Sequence, residues 1–139
     1  MSTRRIWQPK GQDLLEYVLL LPFTLILLMV IFDMGRVTFF YSTLSNASRE
    51  AARFGAVHPC DSTGVISIAK DRAIGINPDD ISFIITWNPV DCDPTTSGSG
   101  TVTVSATFNF SPMTPLVTTL LGGGASLPLN STTTMYLEL

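Results

Sequence analysis

Charge is scarce in this chain. Asp, Glu, Lys and Arg make up only 14% of its 139 residues, against 45% apolar residues. An ordinary soluble domain carries about a quarter charged residues, so a normal soluble surface is a poor description. Histidine occurs once, as His58, and cysteine twice, as Cys60 and Cys92. His58 and Cys60 would supply two zinc ligands, but no C-x-x-C pair supplies the others. Asp79, Asp80, Asp91 and Asp93 lack the spacing of a calcium loop and read as turn carboxylates. A lone histidine before Pro59, at an expected helix end, reads as a surface loop residue rather than a general base. Gly122-Gly123-Gly124 does not open a helix after a strand, so it is no phosphate cradle. The triplets Asn46-Ala-Ser48, Asn109-Phe-Ser111 and Asn130-Ser-Thr132 match a glycosylation acceptor, a pattern that a Ser/Thr-rich chain produces by chance. No catalytic constellation remains. The expectation is a protein without enzymatic activity, cofactor or metal.

The few charges are also unevenly placed. Arg4, Arg5 and Lys10 are the only ones in the first ten residues. From Gln12 onward, Arg36, Arg49, Arg53, Lys70 and Arg72 face eleven acidic side chains. A basic head on an acidic body does not suit nucleic acid, which needs clustered Lys and Arg on the working face.

What the chain does have is a long hydrophobic run. Tyr17 to Phe32 is sixteen residues without a charge, bounded by Glu16 and Asp33; counted from Leu14 the stretch reaches nineteen, with Glu16 inside it. A helix rising 1.5 Å per residue needs about 20 to cross hydrocarbon. A cleaved secretory signal would be shorter and would end in an A-x-A-like site, whereas Phe32-Asp33-Met34-Gly35-Arg36 follows here. The basic residues of the head then favour a cytoplasmic N-terminus, with the chain after the span on the other side.

The helix is expected to continue. Val37, Phe40, Leu44, Ala47, Ala51 and Phe54 alternate steps of three and four, which makes one stripe on a helix. Small residues (Ser45, Ala47, Ser48, Ala51, Ala52, Gly55) allow close approach of another backbone. Gly55 or His58-Pro59 should end a helix running from about Gln12 to about Val57, with a bend or local unwinding at Pro22. A short helix capped around Asp61-Ser62-Thr63 should reach about Ile74, with Val65, Ile68, Ala69 and Ala73 inward. Three strands are expected at Ile81–Trp87, Thr101–Phe110 and Ser131–Leu139. In the second, Val102, Val104, Ala106, Phe108 and Phe110 share a face; in the third, Met135, Leu137 and Leu139 do. The fold class is therefore α+β and membrane-anchored: a long N-terminal helix packed on a small three-stranded antiparallel sheet. Its divisions are a basic leader (1–11), a span (12–33), an amphipathic helix (34–57) and an α+β domain (58–139). Cys60 and Cys92, both placed outside, are expected to pair as a disulfide, the alternative being two free thiols.

A lysine and a glycine end the leader, a carboxylate stands fifth after the glycine, and an aromatic follows. Lys10-Gly11, Glu16 and Tyr17 in this order resemble the processing signal of type IV pilin precursors. Gly11-Gln12, Glu16-Tyr17, Pro22, Asp33-Met34-Gly35-Arg36 and Asn46-Ala47-Ser48-Arg49-Glu50-Ala51-Ala52-Arg53 together resemble the TadE-like pseudopilins of the tight-adherence (Tad) pilus. Phe108-Asn-Phe110-Ser-Pro112-Met-Thr-Pro115-Leu116 and the closing Thr-Met135-Tyr-Leu-Glu138 are similar to that family's C-terminal part. The resemblance implies a minor pilin or pseudopilin and a pilin-like fold. It implies a prepilin peptidase that cuts between Gly11 and Gln12, with other subunits and the Tad assembly machinery as partners. The new Gln12 ammonium of one subunit would pair with Glu16 of its neighbour, since a buried charge needs a counter-charge. Asp13 is an additional acid beside that pair. The resemblance also implies an inner-membrane location, with passage into the pilus. The other reading is an uncleaved, singly anchored protein whose outer domain binds a partner or surface.

Overall fold

The computed structural model describes residues 11–88, 100–114, 119 and 126–137, and of Gln12 the backbone only. One helix dominates it. α1 runs from Gln12 to Val57, 46 residues, about 69 Å at the helical rise. It stays helical through Pro22, so of the bend or local unwinding expected there the unwinding does not occur. Proline removes the N–H that would pair with the Val18 carbonyl. Two residues on, the Thr24 hydroxyl donates to the Leu20 carbonyl at 3.0 Å.

α1 ends at His58, whose backbone N–H donates to the Phe54 carbonyl at 3.0 Å while its ring stacks on the Phe54 ring at 4.3 Å. Gly55 is not the stop. It is buried inside the helix, and a Cβ there would lie 3.1 Å from Val65 and 3.2 Å from Trp87 and Val102. The glycine is a gap that lets the sheet and the second helix approach the α1 backbone.

A tight turn follows, with Cys60 at φ 65. α2 covers Ser62–Arg72; the Asp61 carboxylate caps it by accepting the Gly64 N–H at 2.8 Å. Val65 and Ala69 are buried, Ile68 is half-buried, and Ala73 is buried just past the helix. Gly75, at φ 83, turns the chain across the Phe39 ring, where left-handed backbone suits glycine. A single 3-10 turn, Pro78–Asp80, leads into the sheet. Asp79 in that turn lies 3.6 Å from Lys70; Asp91 and Asp93 lie outside the described residues.

The sheet has the order β1-β2-β3 and is antiparallel throughout. β1 is Ile81–Asn88, β2 Thr101–Phe110 and β3 Leu127–Tyr136. β2 has the expected span, and its Val102, Val104, Ala106 and Phe110 are buried. The third strand is corrected: it starts four residues before Ser131 and ends at Tyr136, so the expected strand at Ser131–Leu139 was shifted. The added residues include Pro128, and β3 is an edge strand, where a residue without an N–H is tolerated. The inward face of Met135 and Leu137 was correct, and Leu139 lies outside the described residues.

The expected stripe of α1 covers the sheet. Leu44, Ala47 and Ala51 are fully buried, while Val37, Phe40 and Phe54 are half-buried. One cluster joins Ala51, Ala52 and Ala56 to Val65, Trp87, Val102 and Val104; a second joins Leu44 and Ala47 to Ile76, Ile81, Ala106 and Phe110. The Trp87 indole N–H donates to the Ser62 hydroxyl at 3.1 Å, fixing the end of β1 to the start of α2. Ser48 sits among the alanines, fully buried, with its hydroxyl 3.0 Å from that of Ser131 and 3.2 Å from that of Thr133. These hydroxyls satisfy one another where α1 crosses β3.

Candidate functional site

The packed half of α1 begins near residue 33. Before it the helix is bare. The most apolar 18-residue window of α1 has a mean hydropathy of 2.5, and none of it is covered by the rest of the protein. Leu19 is 78% exposed and Phe32 71%. Unpacked apolar surface on this scale is unstable in water. A single helix of this length and hydropathy, uncovered, supports a membrane-anchored protein.

At the start of this bare helix lie Gly11 and Gln12. The Gly11 backbone has φ −96, open to any residue, and a Cβ there would meet nothing within 4 Å. Neither the fold nor the turn requires glycine at this position. Its carbonyl accepts the Leu15 N–H at 3.3 Å, so the Gly11–Gln12 peptide bond is at the very mouth of the helix. Asp13, Glu16, Tyr17 and Leu20 line one shallow exposed groove along the following turns. Among the described residues, Glu16 has no ion-pair partner. An unpartnered carboxylate on an apolar helix is costly wherever that helix enters hydrocarbon.

A second polar group sits where the bare and packed halves meet, and the sequence reading missed it. Asp33 marks the end of the apolar run and opens the Asp33-Met34-Gly35-Arg36 motif, with no structural role expected of it, yet it is 2% exposed. Its two carboxylate oxygens accept the backbone N–H groups of Met113, at 3.2 Å, and Thr114, at 3.0 Å. One turn along, the Arg36 guanidinium lies 3.5 Å from Asp33, 5.7 Å from the Phe40 ring centroid and 5.2 Å from that of Phe110. Arg36 thus bridges the carboxylate and two ring faces, a favourable cation–π setting. Phe40 also meets Phe108 edge-on at 5.4 Å. The only signal for this cluster was that Asp33, Arg36 and the segment from Phe108 onward all belonged to the patterns shared with the resembled family.

The structure brings the expected site residues together in two places. Gly11 and Glu16 stand at the bare end, with the Gln12 backbone between them; Val37, Phe40, Leu44, Ala47, Ala51 and Phe54 form the sheet-facing stripe. Cys60 is at the exit of α1, and its expected partner Cys92 lies outside the described residues.

These features define a class: an α+β protein whose single long helix is half anchor and half core. Residues 11–53 match the family model described as TadE-like protein. That match supports membership of the TadE-like family, and it covers the bare helix, Asp33, Arg36 and most of the stripe. No curated protein and no solved structure matches the chain. A TadE-like domain suggests a Tad-pilus-associated protein.

Proposed function

We propose that the protein is a minor pilin or pseudopilin of a Tad-type pilus, a structural part that serves assembly, adhesion or secretion. It sits in the inner membrane with its N-terminus cytoplasmic and its α+β domain outside, and passes from there into the pilus or its assembly complex. A prepilin peptidase cuts between Gly11 and Gln12, which explains a glycine that the fold itself does not need. Cleavage removes Arg4, Arg5 and Lys10 and creates one ammonium at Gln12. That ammonium pairs with Glu16 of a neighbouring subunit, fixing the axial register between helices as two buried charges neutralise each other.

One observation carries the reading: Glu16 stands unpartnered on a bare apolar helix that begins at Gly11–Gln12. The first test is processing. In cells holding the peptidase, wild type should run at the mass of a chain beginning at residue 12. Gly11→Val, whose side chain obstructs the protease cleft, should stay at precursor mass in the membrane. Equal masses for the two would remove the main support for the pilin reading.

A further inference from the structure

The loop that leaves β2 does not turn away from the anchor. Asp33 holds it by two backbone hydrogen bonds, so Met113 is fixed beside the helix at the end of the apolar run. Met113 is nevertheless 79% exposed, more than any other large apolar side chain described. Met29, Phe32, Asp33, Arg36, Met113 and Thr114 together line an open groove of about 370 Å³. Met29 is one turn deeper into the bare segment than Asp33, about 6 Å along the axis. The apolar surface of the loop is therefore continuous with that of the bare helix.

We infer that the start of this loop, residues 111–114, enters the membrane, with Met113 among the upper acyl chains beside Met29 and Phe32. The inference rests on the reading of the bare helix as a membrane anchor and adds a second point of lipid contact. Two features fit a lipid occupant. Backbone N–H groups are costly near hydrocarbon unless they are paired, and those of Met113 and Thr114 are both taken by Asp33. The charges beside the groove also face counter-groups, Asp33 these donors and Arg36, and Arg36 the Asp33 carboxylate at 3.5 Å and two rings, although its buried Nη1 makes no hydrogen bond among the described residues. An unbranched, polarisable thioether suits a disordered apolar phase. With the helix and the start of the loop both in the bilayer, the domain packed on α1 stands at a set height above the lipid.

The test uses the full chain with methyl-labelled methionine in phosphatidylcholine nanodiscs, each resonance assigned by its Met→Leu variant. One sample carries lipids with a nitroxide on the upper acyl chain, the other a water-soluble paramagnetic chelate. The Met113 methyl signal should lose most of its intensity to the nitroxide lipid, as those of Met29 and Met34 do, and keep it in the chelate. Loss to the chelate alone, with Met29 still quenched by lipid, overturns the inference and leaves the anchor intact. Protection of Met113 from both agents also overturns it, since another protein surface would then cover the loop. A Met29 signal untouched by the nitroxide lipid would remove the anchor reading and this inference with it.

Discussion

Asp33 and Thr114 are 81 positions apart in the chain, yet the carboxylate of one accepts the backbone N–H of the other at 3.0 Å. With the neighbouring bond to Met113, this ties the strand exit to the helix at the boundary between anchor and core. The arrangement of a three-stranded sheet on one long helix is held at this end by such a tie.

Asp33→Ala should therefore destabilise the folded domain. It strands two backbone donors and leaves Arg36 without its counter-charge, a loss of about 2–4 kcal/mol from the costs of unsatisfied buried groups and broken partly buried pairs. Asp33→Asn keeps an acceptor oxygen and should lose less. Denaturant unfolding in detergent micelles, followed by Trp87 fluorescence, reads the difference. An unchanged midpoint for Asp33→Ala would mean that the tie contributes nothing to folding.

Gly55 lets helix and sheet approach closely. Gly55→Val would push a branched side chain into contacts that leave only 3.1–3.2 Å for a Cβ. Overpacking of this kind costs about 1–3 kcal/mol. Gly55→Ala should be much milder, because Val65 and Val102 need to give only slightly. A valine variant as stable as wild type in the same unfolding experiment would show that the packing there is loose.

How much of this was legible in the sequence depends on the range of the interaction. The α1 stripe could be read because three-and-four spacing is imposed locally by the helix. The β2 face could be read because alternation is imposed locally by the strand. The start of β3 was missed because Pro128 is a break in a central strand but not on an edge, and the order of strands is not a local property. Gly55 was rightly grouped with the small residues for close approach, yet it was also offered as a helix stop, a role its buried position excludes. Asp33 was invisible as a tie because its partners are backbone groups in a distant loop, which no side-chain pattern announces. Ser48 read as one more small residue; its hydroxyl matters only because Ser131 and Thr133 arrive beside it.

The cysteines give a prediction of their own. A Cys60–Cys92 bridge would close a loop of about 31 residues and contribute roughly 3–4 kcal/mol on the chain-entropy view. Cys60→Ser should lower the melting temperature of the outer domain and open Cys92 to a thiol label. Wild type purified without reductant should take no label at either position. Labelling of both cysteines in the folded protein would rule the bridge out.

The central claim is that Glu16 sets register between subunits. Glu16→Gln keeps size and shape and removes the charge, so insertion and cleavage should persist while the Gln12 ammonium of a neighbour loses its partner. Stranding one member of a buried pair costs about 3–5 kcal/mol, and less at the wet edge of a membrane. Glu16→Asp, one methylene short, should recover part of the loss. The direct measurement is the amount of mature protein co-purifying with sheared pili or the Tad complex, normalised to its amount in the membrane. The account predicts a sharp fall for Glu16→Gln and partial recovery for Glu16→Asp; wild-type incorporation of Glu16→Gln would contradict it and favour an anchored protein that works without joining a filament.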